Sequence, residues 1–195
     1  MKHATALASA AAVSLLLAVP AASAPSVGAA APAFSLPAVA GGSGTVELKE
    51  LAAKGKGVVV VFVSTRCPFS NAYNARMSAL AKQYAAKGIA LVGINSNNNE
   101  PDSEVAEHAK KNGLAFPVLK DAGNKVADAY GANHTPEAYV IDASGKLVYH
   151  GRIDESKEEG EARSHDLANA IDAVLAGKPV PAAETKAFGC SIKRA

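Results

Sequence analysis

The sequence predicts an α/β fold in which a mixed central sheet is flanked by helices. Two continuous apolar runs, residues 57–63 and 89–94, lack the polar alternation of a half-exposed strand. Strands of this kind are buried on both faces of a sheet. A stretch with helical periodicity lies between the two runs, and a hairpin pattern and another helical pattern follow later. This alternation favours an α/β sandwich over a helical bundle or a repeat protein.

Each further element is indicated by its own pattern. Residues 25–43 are rich in Ala, Pro and Gly and predict an arm or a loose edge hairpin. A second helix should extend from about residue 102 to residue 112, because acids crowd its start and lysines and a glycine mark its end. Two short apolar runs flank a turn-rich segment, 142–146, and predict a hairpin. The apolar faces of the first and last helices are formed by Tyr73, Met77, Leu80, Ala81 and Tyr84, and by Leu167, Ile171, Val174 and Leu175.

Composition narrows the possible functions. The 195 residues carry 20 Lys and Arg against 18 Asp and Glu, so no basic surplus argues for nucleic acid as a partner. Two cysteines are too few for a four-thiolate zinc site or a cysteine-ligated iron–sulfur cluster. No glycine-rich nucleotide-binding motif is present. We therefore expect neither a cofactor nor a resident metal.

The first residues have the pattern of a secretory signal peptide. A basic start is followed by an Ala- and Leu-rich run and then by small residues in an A-x-A arrangement up to Ala24. The run is short for a membrane span of about 20 residues. We expect a signal peptide at 1–24, a domain at 25–180 and a tail at 181–195 that carries Cys190. The mature protein would be periplasmic or secreted, where disulfides persist, and it would not associate with a membrane.

Cys67 is the main candidate for chemistry. It directly follows the first buried strand, and Pro68 fits the first turn of a helix, where its missing N–H costs nothing. The dipole and free N–H groups of that helix start favour a thiolate and lower the pKa of the cysteine. Arg66 would add positive charge. The alternative is a buried and inert cysteine.

Segment 63–70, Val-Ser-Thr-Arg-Cys-Pro-Phe-Ser, resembles the active-site segment of thioredoxin-fold redox proteins. The entry arm around Val27-Gly28 and Ala31–Pro37 is similar to the alkyl hydroperoxide reductase/thiol-specific antioxidant group and its TlpA-like relatives. Segments 93–97, 146–154 and 189–193 resemble a peroxiredoxin-like subgroup of that group. The resemblance implies a thioredoxin-like fold. It also implies a cis Thr135-Pro136 bond beside Cys67, with the Thr135 backbone able to dock an extended partner.

Three positions depart from the patterns that the resemblance implies. The second cysteine of a Cys-x-x-Cys motif is replaced by Ser70, which can hydrogen-bond a thiolate but cannot form a disulfide. Ser64 matches the hydroxyl that peroxiredoxins carry three residues before the cysteine, whereas Val60 replaces their proline. His134 stands where the subgroup often has a cysteine. It either activates Cys67, as other histidines activate cysteines, or is a surface histidine. The other histidines, among them His150, are expected at the surface.

Cys190 is the second thiol, and three roles are open for it. It would resolve an intermediate on Cys67, form a static tether, or stay free in a packed tail. The leading hypothesis is an exported thiol oxidoreductase whose Cys67 attacks a protein disulfide or a peroxide and which an external thiol reduces. The alternatives are a non-catalytic peptide-binding module that docks partners at Thr135-Pro136, and a copper-handling protein that uses Cys67 and His134.

Overall fold

A computed structural model describes residues 24–194 of the chain. The signal-peptide prediction therefore lies outside the described residues, except for Ala24. The structure contains nine strands, six α-helices and a short 3₁₀ helix at Glu159–Glu161. The strands are β1 (Ser35–Ala40), β2 (Thr45–Glu47), β3 (Gly57–Phe62), β4 (Ile89–Asn95), β5 (Val118–Lys120), β6 (His134–Thr135), β7 (Glu137–Asp142), β8 (Leu147–Gly151) and β9 (Cys190–Ser191). The helices are α1 (Leu48–Lys54), α2 (Pro68–Ala72), α3 (Asn74–Ala85), α4 (Asp102–Lys111), α5 (Lys125–Tyr130) and α6 (Asp166–Leu175).

Seven strands form the mixed sheet that the sequence predicts. Their order is β2-β1-β5-β4-β3-β7-β8. Strand β3 lies parallel to β4 and antiparallel to β7, and β4 lies parallel to β5. Every residue of β3 is buried, which explains why its sequence has no polar alternation. The edge hairpin, the buried strands, the later hairpin and the helices α3, α4 and α6 confirm the predicted elements.

Two apolar layers cover the faces of the sheet. Successive side chains of β3 alternate between them, so Val59 and Val61 belong to one layer and Val58 and Val60 to the other. The first layer is closed by α3, α4 and α6. The second is closed by α1 and α5 and includes Tyr130. The sheet therefore fixes the carboxyl end of β3, where Cys67 follows, between two packed layers.

The sequence-based prediction omitted several elements. Helices α1 and α5 and strand β5 are short, and their apolar residues form no long periodic run. Strands β6 and β9 have two residues each and form a separate small sheet. Their pairing joins segments far apart in the chain, so no local pattern indicates them. Among the described residues, no helix is both long and apolar enough to cross a membrane.

Candidate active site

Cys67 lies at the start of helix α2, as predicted. It is the N-cap residue, and Pro68 occupies the first turn. The Ser70 N–H donates to the Cys67 sulfur over 3.4 Å, so one of the free N–H groups of the helix start points at the thiol. Only 2% of Cys67 is exposed. The site is thus a buried thiol with a helix N-terminus on one side.

The loop before Cys67 is held by a buried carboxylate. Glu100 is 2% exposed and accepts hydrogen bonds from the Ser64 hydroxyl at 2.5 Å and from the Thr65 N–H at 2.9 Å. It also accepts from the Asn95 amide. Burial raises the pKa of Glu100, but these hydrogen bonds outweigh it, and the net pKa is lowered. Sequence reasoning missed this residue. The sequence does carry one indication of its role. Glu100 follows β4 shortly after that strand ends, and β4 lies parallel to β3, so the acid is expected at the same edge of the sheet as Cys67.

The Ser64 hydroxyl makes hydrogen bonds with Glu100 and with the backbone around Cys67. Its hydroxyl donates to Glu100 and accepts from the Cys67 N–H at 3.1 Å and the Arg66 N–H at 3.2 Å. The hydroxyl hydrogen is therefore committed to Glu100. Ser64 supports the backbone of Cys67 and does not direct its hydrogen at the sulfur.

Arg66 and Ser70 also point their side chains away from the sulfur. The Arg66 guanidinium binds Glu104 with two hydrogen bonds, at 2.8 and 2.5 Å. The Ser70 hydroxyl accepts from the Ser64 N–H at 3.1 Å. Ser70 therefore reaches Cys67 through its backbone, while its side chain ties the helix start to the preceding loop.

The other side of Cys67 is formed by the Thr135-Pro136 loop. The peptide bond between these residues is cis, which confirms the expectation from the resemblance. The Cys67 thiol donates to the Thr135 carbonyl over 3.0 Å. Thr135 is 1% exposed. The loop therefore covers the Cys67 thiol on one side, and the start of helix α2 lies on its other side.

The buried carboxylate of Glu137 holds this loop in place through hydrogen bonds to its backbone. Its carboxylate accepts from the N–H groups of Asn133 and His134, each at 2.8 Å. It also binds the Tyr139 hydroxyl at 3.0 Å and His150 Nε2 at 2.6 Å. His150 stacks on the Tyr139 ring at 4.4 Å, and 33% of its side chain is exposed, so this histidine lies at the surface but also has specific partners. Burial raises the pKa of Glu137, but its hydrogen bonds prevail, and the net pKa is lowered.

His134 lies beside Glu137. Its Nδ1 is 3.7 Å from Glu137 Oε2, and the acceptor of the Cys67 thiol is the Thr135 carbonyl rather than His134. Within residues 24–194, no three His, Cys, Asp or Glu side chains cluster closely enough to hold a metal ion.

The C-terminal tail places Cys190 opposite Thr135, at the loop that covers Cys67. Strand β9 pairs antiparallel with β6, and Cys190 is the register partner of Thr135. Both cysteines are free thiols. Burial raises the pKa of Cys67, but hydrogen bonds from Cys190, the Ser70 N–H and Thr135 prevail, and the net pKa is lowered. Burial and the neighbouring Cys67 raise the pKa of Cys190 to about 11. The two pKa shifts have opposite directions, so Cys67 is the more acidic of the two thiols.

These features define a class of protein: a thioredoxin-like fold with a thiol at a helix N-terminus opposite a cis-proline loop. The model of the AhpC/TSA family matches residues 27–150. The chain belongs to the AhpC/TSA family.

The relatives agree with this class. A thiol-disulfide oxidoreductase ResA of Halalkalibacterium halodurans is 35% identical over 104 residues, which are 53% of this chain and 57% of that protein. A ResA of Bacillus anthracis is 34% identical over 116 residues, which are 60% of this chain and 65% of that protein. The chain thus spans 57% to 65% of the lengths of these two relatives. The crystal structure of a hypothetical protein from Sinorhizobium meliloti 1021 is 36% identical, with a TM-score of 0.79, and covers 89% of this chain and 97% of that one.

Proposed function

We propose that the protein is a thiol oxidoreductase that reduces disulfides, with Cys67 and Cys190 forming one two-electron couple. The observation that carries the proposal is the pairing of β9 with β6, which sets Cys190 opposite Thr135, whose carbonyl binds Cys67. The names of the ResA relatives support disulfide exchange as the reaction. Cys190 then supplies the second thiol that Ser70 cannot.

The reaction proceeds in two exchanges. The Cys67 thiolate attacks one sulfur of the substrate disulfide, forms a mixed disulfide, and releases the other sulfur as a thiolate that takes a proton from solvent. The Cys190 thiolate next attacks the Cys67 sulfur and releases the second substrate sulfur. The substrate gains two electrons, and the protein ends with a Cys67–Cys190 disulfide. Two equivalents of an external thiol reverse this oxidation.

The charges at the site set the order of these steps. In the reduced protein, burial and Cys67 raise the pKa of Cys190 to about 11, so Cys190 is protonated at neutral pH. The lowered pKa of Cys67 makes it the first nucleophile. A mixed disulfide on Cys67 carries no negative charge. The contribution of Cys67 to the high pKa of Cys190 is then removed, and Cys190 becomes easier to deprotonate once it is needed.

The environment of Ser64 favours a disulfide over a peroxide as the substrate. A peroxide is activated by donors aimed at its oxygens. The Ser64 hydroxyl donates to Glu100 at 2.5 Å, and Arg66 is paired with Glu104. Neither side chain offers a free donor at the Cys67 sulfur. Exchange with a disulfide needs only the thiolate and a leaving sulfur.

Acid-quenched reaction with oxidised glutathione, read by mass spectrometry, tests the proposal. The wild type should pass through a Cys67–glutathione adduct and accumulate the Cys67–Cys190 disulfide, whereas Cys190→Ser should stop at the adduct. Cys67→Ser should lose the fast reaction, to below about 1% of the wild-type rate. Ser191→Ala, an exposed change on the same strand, is the matched control and should behave as the wild type.

Two results would contradict the proposal. One is an adduct that persists equally in wild type and Cys190→Ser. The other is a wild type that hydrogen peroxide oxidises much faster than glutathione disulfide, which would move the substrate assignment to peroxides.

The proposal includes action outside the cytoplasm, in the periplasm or after secretion. The signal-peptide pattern of residues 1–24 supports it. Protein disulfides are the expected substrates in that compartment, with an external thiol as reductant. Cell fractionation with N-terminal sequencing of the isolated protein is the test. A cytoplasmic protein that keeps Met1 would contradict this part.

A further inference from the structure

The tail around Cys190 lies on the protein as an extended peptide would. Its strand pairs with β6 through the backbone, and the Ile192 N–H continues the ladder by donating to the Asn133 carbonyl at 3.0 Å. Backbone pairing with a strand edge is a general way to bind an extended segment, with side-chain pockets supplying the specificity. The tail therefore occupies an edge that is suited to peptides.

Side chains anchor the tail on both sides of Cys190. Before it, Phe188 packs edge-to-face on Phe69 with ring centroids 6.2 Å apart. After it, Ile192 is 5% exposed and belongs to the apolar layer that contains Tyr130. The Lys193 N–H adds a hydrogen bond of 2.7 Å to Asn97 Oδ1. The edge thus has one aromatic contact and one aliphatic pocket that flank the position of the cysteine.

Gly189 shows a third condition that a segment must meet to bind this edge. Its φ is +147°, and a Cβ added to it would lie 2.1 Å from the Thr135 carbonyl oxygen and 2.8 Å from its carbon. No side chain fits there without moving the backbone. An occupant of the edge must therefore have glycine directly before its cysteine.

We propose that residues 188–193 are a built-in competitor of a protein partner that docks at the Thr135 edge, and that this edge selects a glycine directly before the docked cysteine. This inference deepens the proposed function and rests on it. The partner presents an extended segment with glycine before a cysteine and an aliphatic residue two positions after it. The segment displaces the tail and sets its own cysteine opposite Thr135, beside Cys67. While the tail is in place, Cys67 stays 2% exposed and the edge is closed to other proteins.

The tail is a strong competitor because it belongs to the same chain as the edge that it occupies. A linked segment has an effective concentration that reaches about the millimolar range. A free peptide at micromolar concentration should therefore bind poorly to the intact protein. Weakening an anchor of the tail, without removing the tail, should expose the edge to that peptide.

Fluorescence anisotropy with a labelled peptide tests this in the full chain. The peptide has the sequence of residues 187–194 with serine in place of the cysteine, so its binding requires no thiol chemistry. Gly189→Val and, independently, Ile192→Ser should bind it at least about tenfold more tightly than the wild type does. Gly145→Val is the matched control, because Gly145 also has a positive φ (+81°) but lies in the β7–β8 turn, and it should match the wild type.

A second peptide, with valine in place of the glycine, should not bind the loosened variants. Equal affinity of the first peptide for wild type and both loosened variants would overturn the proposal, and so would equal binding of the two peptides. The outcome is separate from that of the proposed function. If the peptide binds but Cys67 does not react with disulfides, the proposed function fails and the docking site stands. If Cys67 reacts but no variant binds the peptide, the docking site fails alone.

Discussion

Cys67 lies between two surfaces that are built in different ways. On the helix side, one contiguous segment, 62–70, supplies the strand end, the turn and the N–H that binds the sulfur. On the tail side, the Thr135 loop and Cys190 come from segments 55 residues apart in the chain and meet only through β6 and β9. The helix side favours the thiolate, and the tail side supplies the thiol that acts on it. The proposed function therefore assigns the reactivity of Cys67 to the helix side and the control of that reactivity to the tail side.

The largest effect expected from this comparison concerns stability. Oxidation to a Cys67–Cys190 disulfide would close a loop over 123 residue positions, which stabilises by about 4–5 kcal/mol in the loop-entropy model. Urea unfolding of the oxidised and the reduced protein should differ by a large part of this amount. Cys190→Ser should show no difference between the two conditions. An equal difference in that variant would mean that the cysteines do not pair.

A change on the helix side should cost less. In Glu100→Gln, an amide NH₂ would replace one carboxylate oxygen and would face either the Ser64 hydroxyl or the Thr65 and Asn95 donors, so part of this buried donor set would lose its acceptor. We expect a loss of roughly 2–3 kcal/mol in the free energy of unfolding. The control is Glu104→Gln, which removes the charge of a more exposed carboxylate and should cost less than about 1 kcal/mol. Similar losses in both would refute a special role for Glu100.

The tail side should respond to acid through Glu137. The folded pKa of this carboxyl is lowered from 4.5, so ionised Glu137 stabilises the fold fully above about pH 4.5. This stability is lost as the pH falls through the lowered folded pKa. Glu137→Gln should therefore be less stable than wild type at pH 7, with the gap closing below pH 4.5. Chemical unfolding at a series of pH values measures it, and a gap independent of pH would contradict the assignment.

The smallest expected effect is a change in the pKa of Cys67 that is caused by a substitution on the tail side. Cys190 is the first of the hydrogen-bonding groups that lower the pKa of Cys67. Cys190→Ala should therefore raise the pKa of Cys67, measured as thiolate absorbance across pH. Ser191→Ala should leave it unchanged. A titration that is identical in wild type and Cys190→Ala would show that the tail does not influence the thiolate.

The two sides also differ in how far the sequence predicts them. The buried strand followed by Cys67 and Pro68 is a local pattern, so the position of the thiol at a helix start could be predicted. The cis Thr135-Pro136 bond followed from resemblance, since X-Pro bonds are cis in only about 5–6% of folded cases. The meeting of Cys190 with Thr135 depends on how the tail folds back, and a two-residue strand carries no pattern that specifies its partner.

The contacts of Glu137 and Glu100 near the site could not be predicted from local sequence patterns either, for the same reason. Glu137 binds His150 across the β7–β8 hairpin, and Glu100 reaches back to Ser64 from the loop after β4. Each contact requires the register of the sheet. The sequence indicated that Arg66, Ser70 and His134 are near Cys67, but side-chain direction decides their roles. The Arg66 guanidinium binds Glu104, and the Ser70 hydroxyl accepts from the Ser64 N–H. His134 Nδ1 lies 3.7 Å from Glu137 Oε2.

The most direct test of the central claim is an equilibrium redox titration of the wild type in glutathione buffers, with the free thiols alkylated and counted by mass spectrometry. If Cys67 and Cys190 form one couple, both thiols should disappear together in a single two-electron transition, and mapping should find them joined to each other. A Cys67–glutathione adduct that persists beside a free Cys190 thiol across the titration would contradict the claim.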